Sequence, residues 1–191
     1  SLEYGSYGDD SDGAFYNCDG LKTVTFEEGT THIASGLFAN CTGLEKINIP
    51  NGVTSIDNHV FYNCRNLKDV TIPSTVTKVG DYSFEKCVSM TQITLPSGIT
   101  SIERGAFYDC TNLKEIVIPD SVTEIGVQAF YGCTNLSSVK LSKNLTKLGC
   151  LTFGNCKALG SIEIPRSLEY GSYGDDSDGA FYNCDGLKTV T

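Results

Sequence analysis

Apolar side chains recur along the chain at one fixed interval. Taking Cys18, Cys41, Cys64, Cys87, Cys110, Cys133 and Cys156 as position zero, neighbours are 23 residues apart. Position +3 then holds Leu21, Leu44, Leu67, Met90, Leu113, Leu136 and Leu159. Position +6 holds Val24, Ile47, Val70, Ile93, Ile116, Val139 and Ile162, and position +8 holds Phe26, Ile49, Ile72, Leu95, Ile118, Leu141 and Ile164. Spacing of three and then two predicts a turn entering a short strand whose alternate residues face inward. Position +9 carries all five prolines, Pro50, Pro73, Pro96, Pro119 and Pro165. Proline cannot donate to a ladder, so the strand ends at the same place each time. A second inward pair at +12 and +15, such as Val53 with Ile56 or Val122 with Ile125, predicts another extended stretch. Position +20 is Phe38, Phe61, Phe84, Phe107, Phe130 and Phe153. The stretch leading to it, such as Gly105 to Cys110, is expected to make one helical or 3₁₀ turn.

A single coil of this kind cannot offset the entropy of ordering its residues, but a stack of coils buries a continuous core. The expectation is one solenoid of about eight coils spanning residues 1–191. Each coil contributes one parallel strand to a concave sheet, with short extended segments and helical turns on the back.

The pattern Cys-x-x-Leu-x-x-Ile-x-Ile-Pro-x-x-Val-Thr-x-Ile-x-x-x-Ala-Phe resembles the BspA-type (Treponema-type) leucine-rich repeat. Residues 110–130, CTNLKEIVIPDSVTEIGVQAF, follow it almost throughout. Departures are local: Thr30 replaces the aliphatic at +12, Glu27 and Ser142 replace the proline, and residues 166–180 carry an insertion. The resemblance implies a leucine-rich-repeat solenoid of the α/β class, rich in β structure. It also implies a secreted or cell-surface protein that adheres to host or matrix proteins such as fibronectin and fibrinogen, or to other cell-surface proteins.

Composition narrows the partners. The net charge is -9, which disfavours nucleic acid and anionic membranes. No run approaches the roughly 18 apolar residues of a membrane span. The nine cysteines suggest a disulfide framework until their phase is noticed. At one position per coil they should stack inside as small buried hydrophobes. Cys150 is out of phase and is the thiol expected to be separately reactive.

Residues 1–25 recur letter for letter at 167–191. This points to a piece of a longer array or to an engineered duplication. As a piece of such an array, the isolated chain would have open coil ends, and it is expected to associate head to tail with further copies of itself.

Candidate sites follow from the phase. Positions +4, +5 and +7 should line the concave sheet. They are Lys22, Thr23 and Thr25; Glu45, Lys46 and Asn48; Lys68, Asp69 and Thr71; Thr91, Gln92 and Thr94; Lys114, Glu115 and Val117; and Ser137, Ser138 and Lys140. They vary while the inward positions do not, as a ligand face or any exposed face would. Asp9, Asp10 and Asp12 form an acidic cluster that could supply some of the oxygens calcium needs, although the full twelve-residue loop signature is missing. No other cofactor is implied. Tyrosines at +21, including Tyr62, Tyr108 and Tyr131, either pack on the next coil or anchor a partner. His32 and His59 fall in surface phases, and no phosphate loop or nucleophile elbow is present, so enzymatic activity is not expected. The expected function is protein binding or adhesion, with a structural spacer and a cation-dependent module as alternatives.

Overall fold

The computed structural model describes residues 13–169 and 179–191. Twelve short strands run through these residues. In chain order they are β1 (Thr23–Val24), β2 (Lys46–Asn48), β3 (Ser55–Ile56), β4 (Asp69–Thr71), β5 (Lys78–Val79) and β6 (Ser101–Ile102). They continue with β7 (Glu115–Val117), β8 (Glu124–Ile125), β9 (Ser138–Lys140), β10 (Lys147–Leu148), β11 (Ser161–Ile162) and β12 (Thr189–Val190). Every pairing is parallel, between one coil and the next. Thr23 lies opposite Lys46 and Lys46 opposite Asp69; on the other ladder Ser55 lies opposite Lys78 and Lys78 opposite Ser101.

The strands at +5 to +7 make a first sheet in three pieces, β1-β2-β4, β7-β9 and β11-β12. Those at +14 and +15 make one continuous second sheet, β10-β8-β6-β5-β3. The expected strand on one side of the coil is present, and the back stretch is a full ladder of its own.

The third side differs from the helical turns expected there. It holds hydrogen-bonded turns, and no helix occurs among the described residues. The amide N–H groups alternate in direction. Tyr108 and Cys110 donate back three residues to Gly105 and Phe107 (2.9 and 3.2 Å), while Phe107 and Asp109 donate to Ala129 and Tyr131 of the next coil (both 2.8 Å). Half the donors a helix would use are committed to the neighbouring coil. Left-handed residues bracket each turn. Position +18 has φ near 57° at Gly105 and 55° at His59, and position +22 has φ near 59° at Asn40 and 56° at Asn63. Asparagine and glycine tolerate this region best, which is why Asn recurs before the phase-marking cysteine.

The core is a set of columns. Phe38, Phe61, Phe84, Phe107, Phe130 and Phe153 are fully buried. Their rings stack nearly parallel, with centroids 5.2–5.8 Å apart. The column runs through the insertion, since Phe153 stacks on Phe181 at 5.6 Å. Stacked pairs add to the area they bury.

The cysteines form a second column, and none is disulfide-bonded. From Cys41 onward, each in-phase thiol donates to the carbonyl oxygen of the phenylalanine one coil back, as Cys64 does to Phe38 (3.1 Å), Cys110 to Phe84 (3.1 Å) and Cys133 to Phe107 (3.2 Å). Cysteine here is a donor as well as an apolar filler. Cys18 and Cys184, in the outermost described coils, are half-buried. Cys150, expected to be reactive, is fully buried instead. Its position is polar at Asn58, Asp81 and Arg104 but turns inward at Val127 and Cys150.

Two outcomes follow. Phe107→Ala removes a ring between Phe84 and Phe130, and should lower the unfolding free energy by about 3–5 kcal/mol in a denaturant melt. Desolvation by burial pushes the Cys41 thiol up to about 11 and the Cys110 thiol to about 12 from an ordinary 9.0. With folded values raised, their stabilisation is complete below pH 9.0 and is lost as pH rises through 11 and 12. Denaturant melts should therefore show an alkaline loss of stability that is shallower in Cys110→Ala than in wild type.

Candidate first-sheet binding face

The alternation of the first strands decides which side chains reach solvent. In β2 and β7 the central isoleucines, Ile47 and Ile116, are buried while the flanking residues are exposed. All the residues expected on this face are exposed, from Lys22, Thr23 and Thr25 through Lys114, Glu115 and Val117 to Ser137, Ser138 and Lys140. Parallel register brings like positions together in rows, Thr23 beside Lys46 beside Asp69 and Asn48 beside Thr71. Glu115 lies beside Ser138, and Val117 beside Lys140.

The charges on this face are not paired with one another. Lys46 sits directly opposite Asp69, yet among the described residues no salt bridge involves a residue of the first sheet. The second sheet behaves differently: Lys78 reaches Glu103 at 3.5 Å and Lys147 reaches Glu124 at 3.6 Å. Such exposed pairs contribute little stability. What separates the two faces is that charges on the second sheet have intramolecular partners.

The first sheet is also broken where the second is not. At position +8, the N–H of Ile49 bonds to Thr71 O at 3.0 Å and that of Ile118 to Lys140 O at 2.8 Å. The equivalent N–H groups of Ile72 and Leu95 form no backbone bond among the described residues. Thr91 O still accepts the Lys114 N–H just before β7 at 3.0 Å, but residues 92–95 run between β4 and β7 without a backbone hydrogen bond to either strand. A cleft of about 470 Å³ opens on one side, lined by Lys46, Lys68, Asp69, Val70, Thr71, Gln92, Ile93 and Thr94. One of about 430 Å³ opens on the other, lined by Gln92, Ile93, Thr94, Leu95, Ser97, Glu115, Val117 and Pro119. A third, of about 350 Å³, lies at the other break, between β9 and β11, with Val139, Lys140, Leu141, Lys143, Glu163 and Pro165. Val117, 58% exposed, stands at the rim of the second. Sequence reading placed Val117 on the face but did not foresee the breaks.

The lateral edge holds the tyrosines. Tyr108 and Tyr131 stack on each other at 5.0 Å, and His59 stacks on Tyr82 at 5.4 Å. Lys86 bonds Glu85 at 2.9 Å and lies 5.5 Å over the Tyr62 ring. The Glu85 hydrogen bond raises the Lys86 ammonium above its ordinary value, and burial raises the Asp109 carboxyl nearby. These rings pack coil against coil. Cys41 is not available to a histidine, since its thiol is buried and donates to Phe15 O at 3.0 Å. Asp9, Asp10 and Asp12 lie outside the described residues. Among those described, no group of three His, Cys, Asp or Glu side chains is placed to hold a metal, and no helix is long and apolar enough to cross a membrane.

Two parallel ladders per coil around columns of leucine, phenylalanine and cysteine define a leucine-rich-repeat solenoid. The family model of the BspA type leucine-rich repeat region matches six copies across residues 11–110 and 77–191, and the chain belongs to that family. Among solved structures it is similar to a leucine-rich repeat protein of T. pallidum, with 30% identity and a TM-score of 0.72 over 79% of this chain and 68% of that one. It is also similar to a leucine-rich repeat protein of Bacteroides ovatus, with 25% identity and a TM-score of 0.60. That match covers 90% of this chain but 46% of the other. The pneumococcal vaccine antigen PcpA shares the fold at 21% identity and a TM-score of 0.58, over 78% of this chain and 44% of the antigen. No curated protein matches the sequence.

Hydrogen exchange checks the broken ladder. The amides of Ile72 and Leu95 should exchange much faster than those of Ile49 and Ile118, at the same position of other coils. Equal protection at all four would mean the ladder is continuous in solution.

Proposed function

We propose that this chain is a non-enzymatic protein-binding module that works through the first-sheet face. Its partner is a host, matrix or other cell-surface protein, and it is displayed outside the cell. The observation that carries this reading is the face itself. Its charged side chains form no salt bridge among the described residues, its hydrogen-bond ladder is interrupted, and an exposed valine rims a cleft. A protein partner can satisfy all three, placing an apolar group against Val117 and complementary charges among Lys46, Lys68 and Glu115. An aliphatic centre within a polar rim is how protein interfaces are commonly arranged. The surface location rests on the family resemblance.

The continuous phenylalanine column supports a second reading, a structural spacer, because uniform stacking makes an even rod whatever its surface carries.

Immobilised fibronectin and fibrinogen, titrated with the chain, separate the two. Val117→Glu buries a charge against any apolar partner group and should weaken binding about tenfold or more, a loss of at least ~1.4 kcal/mol. Lys78→Ala on the second sheet should leave binding unchanged. Wild-type binding unaffected by Val117→Glu would place the contact elsewhere, and no saturable binding to either protein would favour the spacer.

A further inference from the structure

The turn joining the first strand to the second in the coil after Cys41 is Pro50-Asn51-Gly52-Val53, closed by the Val53 N–H donating to Pro50 O at 3.3 Å. Asn51 is exposed, and Gly52 has φ of 111°, a conformation that favours glycine. The N–H of Gly52 has only a 3.4 Å bond to Thr75 Oγ1. Every other asparagine of the chain precedes a residue whose N–H donates to a backbone carbonyl. Asn48 precedes Ile49, Asn58 precedes His59 (bonded to Asp81 O at 2.9 Å), and Asn63 precedes Cys64 (bonded to Phe61 O at 3.1 Å). Those residues also carry side chains that crowd an approaching amide. At Asn51 alone, an exposed side-chain amide is followed by glycine and by a weakly held nitrogen.

We propose that Asn51 is a site of spontaneous deamidation in the folded protein, converting to aspartate and isoaspartate. The Gly52 amide gives its proton to water or hydroxide and attacks Cγ of Asn51. A C–N bond forms, the Cγ–Nδ2 bond breaks, and the side-chain nitrogen leaves as ammonia after taking a proton from solvent. Water then opens the resulting cyclic imide at either carbonyl. No oxidant, metal or second protein takes part, and the rate rises with pH because the attacking nitrogen must lose its proton.

The repeat itself shows that the fold accepts the aspartate product. The residue equivalent to Asn51 in the Cys110 coil is Asp120, whose Oδ1 accepts the N–H of Lys143 in the next coil at 3.0 Å. Asn and Asp exchange freely in a similar role at +17: Asn58 Oδ1 accepts the Asp81 N–H at 2.9 Å, and Asp81 Oδ1 accepts the Arg104 N–H at 3.1 Å. Conversion to aspartate thus adds a negative charge beside the first-sheet face at a position where the repeat already carries Asp120.

The test is incubation of the whole chain, warm, at neutral and mildly alkaline pH, followed by tryptic mapping of the peptide from Ile47 to Arg65. That peptide carries Asn48, Asn58 and Asn63 as internal controls. The expected result is conversion confined to Asn51, faster at higher pH, with isoaspartate detected by enzymatic methylation and absent in Asn51→Gln. Thr75→Val removes the acceptor that holds the Gly52 N–H and should speed the reaction; circular dichroism confirms that this variant is folded. An intact Asn51 in the folded chain, whether or not the denatured chain converts there, would overturn the proposal. So would earlier conversion at another asparagine of the same peptide.

Discussion

Each phenylalanine ring of the central column has a like ring within 5.8 Å on either side, from Phe38 to Phe153. That contact exists only if successive coils bring the same position to the same place, so it sets the repeat length. A coil one residue longer would move its ring out of the stack or force the extra residue outward as a bulge. The cysteine column obeys the same constraint, because a thiol can reach the carbonyl of the preceding phenylalanine only when the coils are in phase. So does the turn beside it, whose alternate N–H groups must meet carbonyls one coil ahead. Ring stacking, thiol donation and turn hydrogen bonds are three expressions of one register.

The period and the inward positions were legible in the sequence because both are side-chain properties. An apolar residue at +3, +6, +8, +15 or +20 has nowhere to go but the core, and proline at +9 can only end a strand. The turns were less legible. A stretch such as Gly105-Ala106-Phe107-Tyr108 reads as helical until it is known that half its amides are committed to another coil, and that commitment is tertiary. Cysteine was read as a small apolar filler because its weak donor strength leaves no trace in a pattern of apolar positions. Cys150 was misread because its position faces outward in the coils of Asn58 and Asp81 and inward in its own. The exposed face could be drawn residue by residue, but its breaks could not. They depend on how two backbones run beside each other, which is tertiary; Leu136 and Leu159 flank one break as ordinary members of the pattern.

The continuous second sheet and the interrupted first one divide the work of the coil. The turn ladder and the second sheet keep the coils in register, so the first sheet can open into clefts without the stack separating. A face released from holding the molecule together is able to vary, and its variation from Lys22 to Lys140 has that character. Among the described residues its charges form no salt bridge with one another.

The join between Phe153 and Phe181 carries a further consequence. The rings on either side of the inserted residues meet at 5.6 Å, as though nothing intervened, and Cys184 still reaches Phe153 O at 2.9 Å. The stack therefore counts coils and ignores the residues between them at that point. Such a molecule can lengthen by recombination between its own near-identical segments, each unequal exchange adding or deleting whole turns of the spiral. It can also accept a foreign loop at this junction, a natural place for an engineer to display an epitope on a rigid rod.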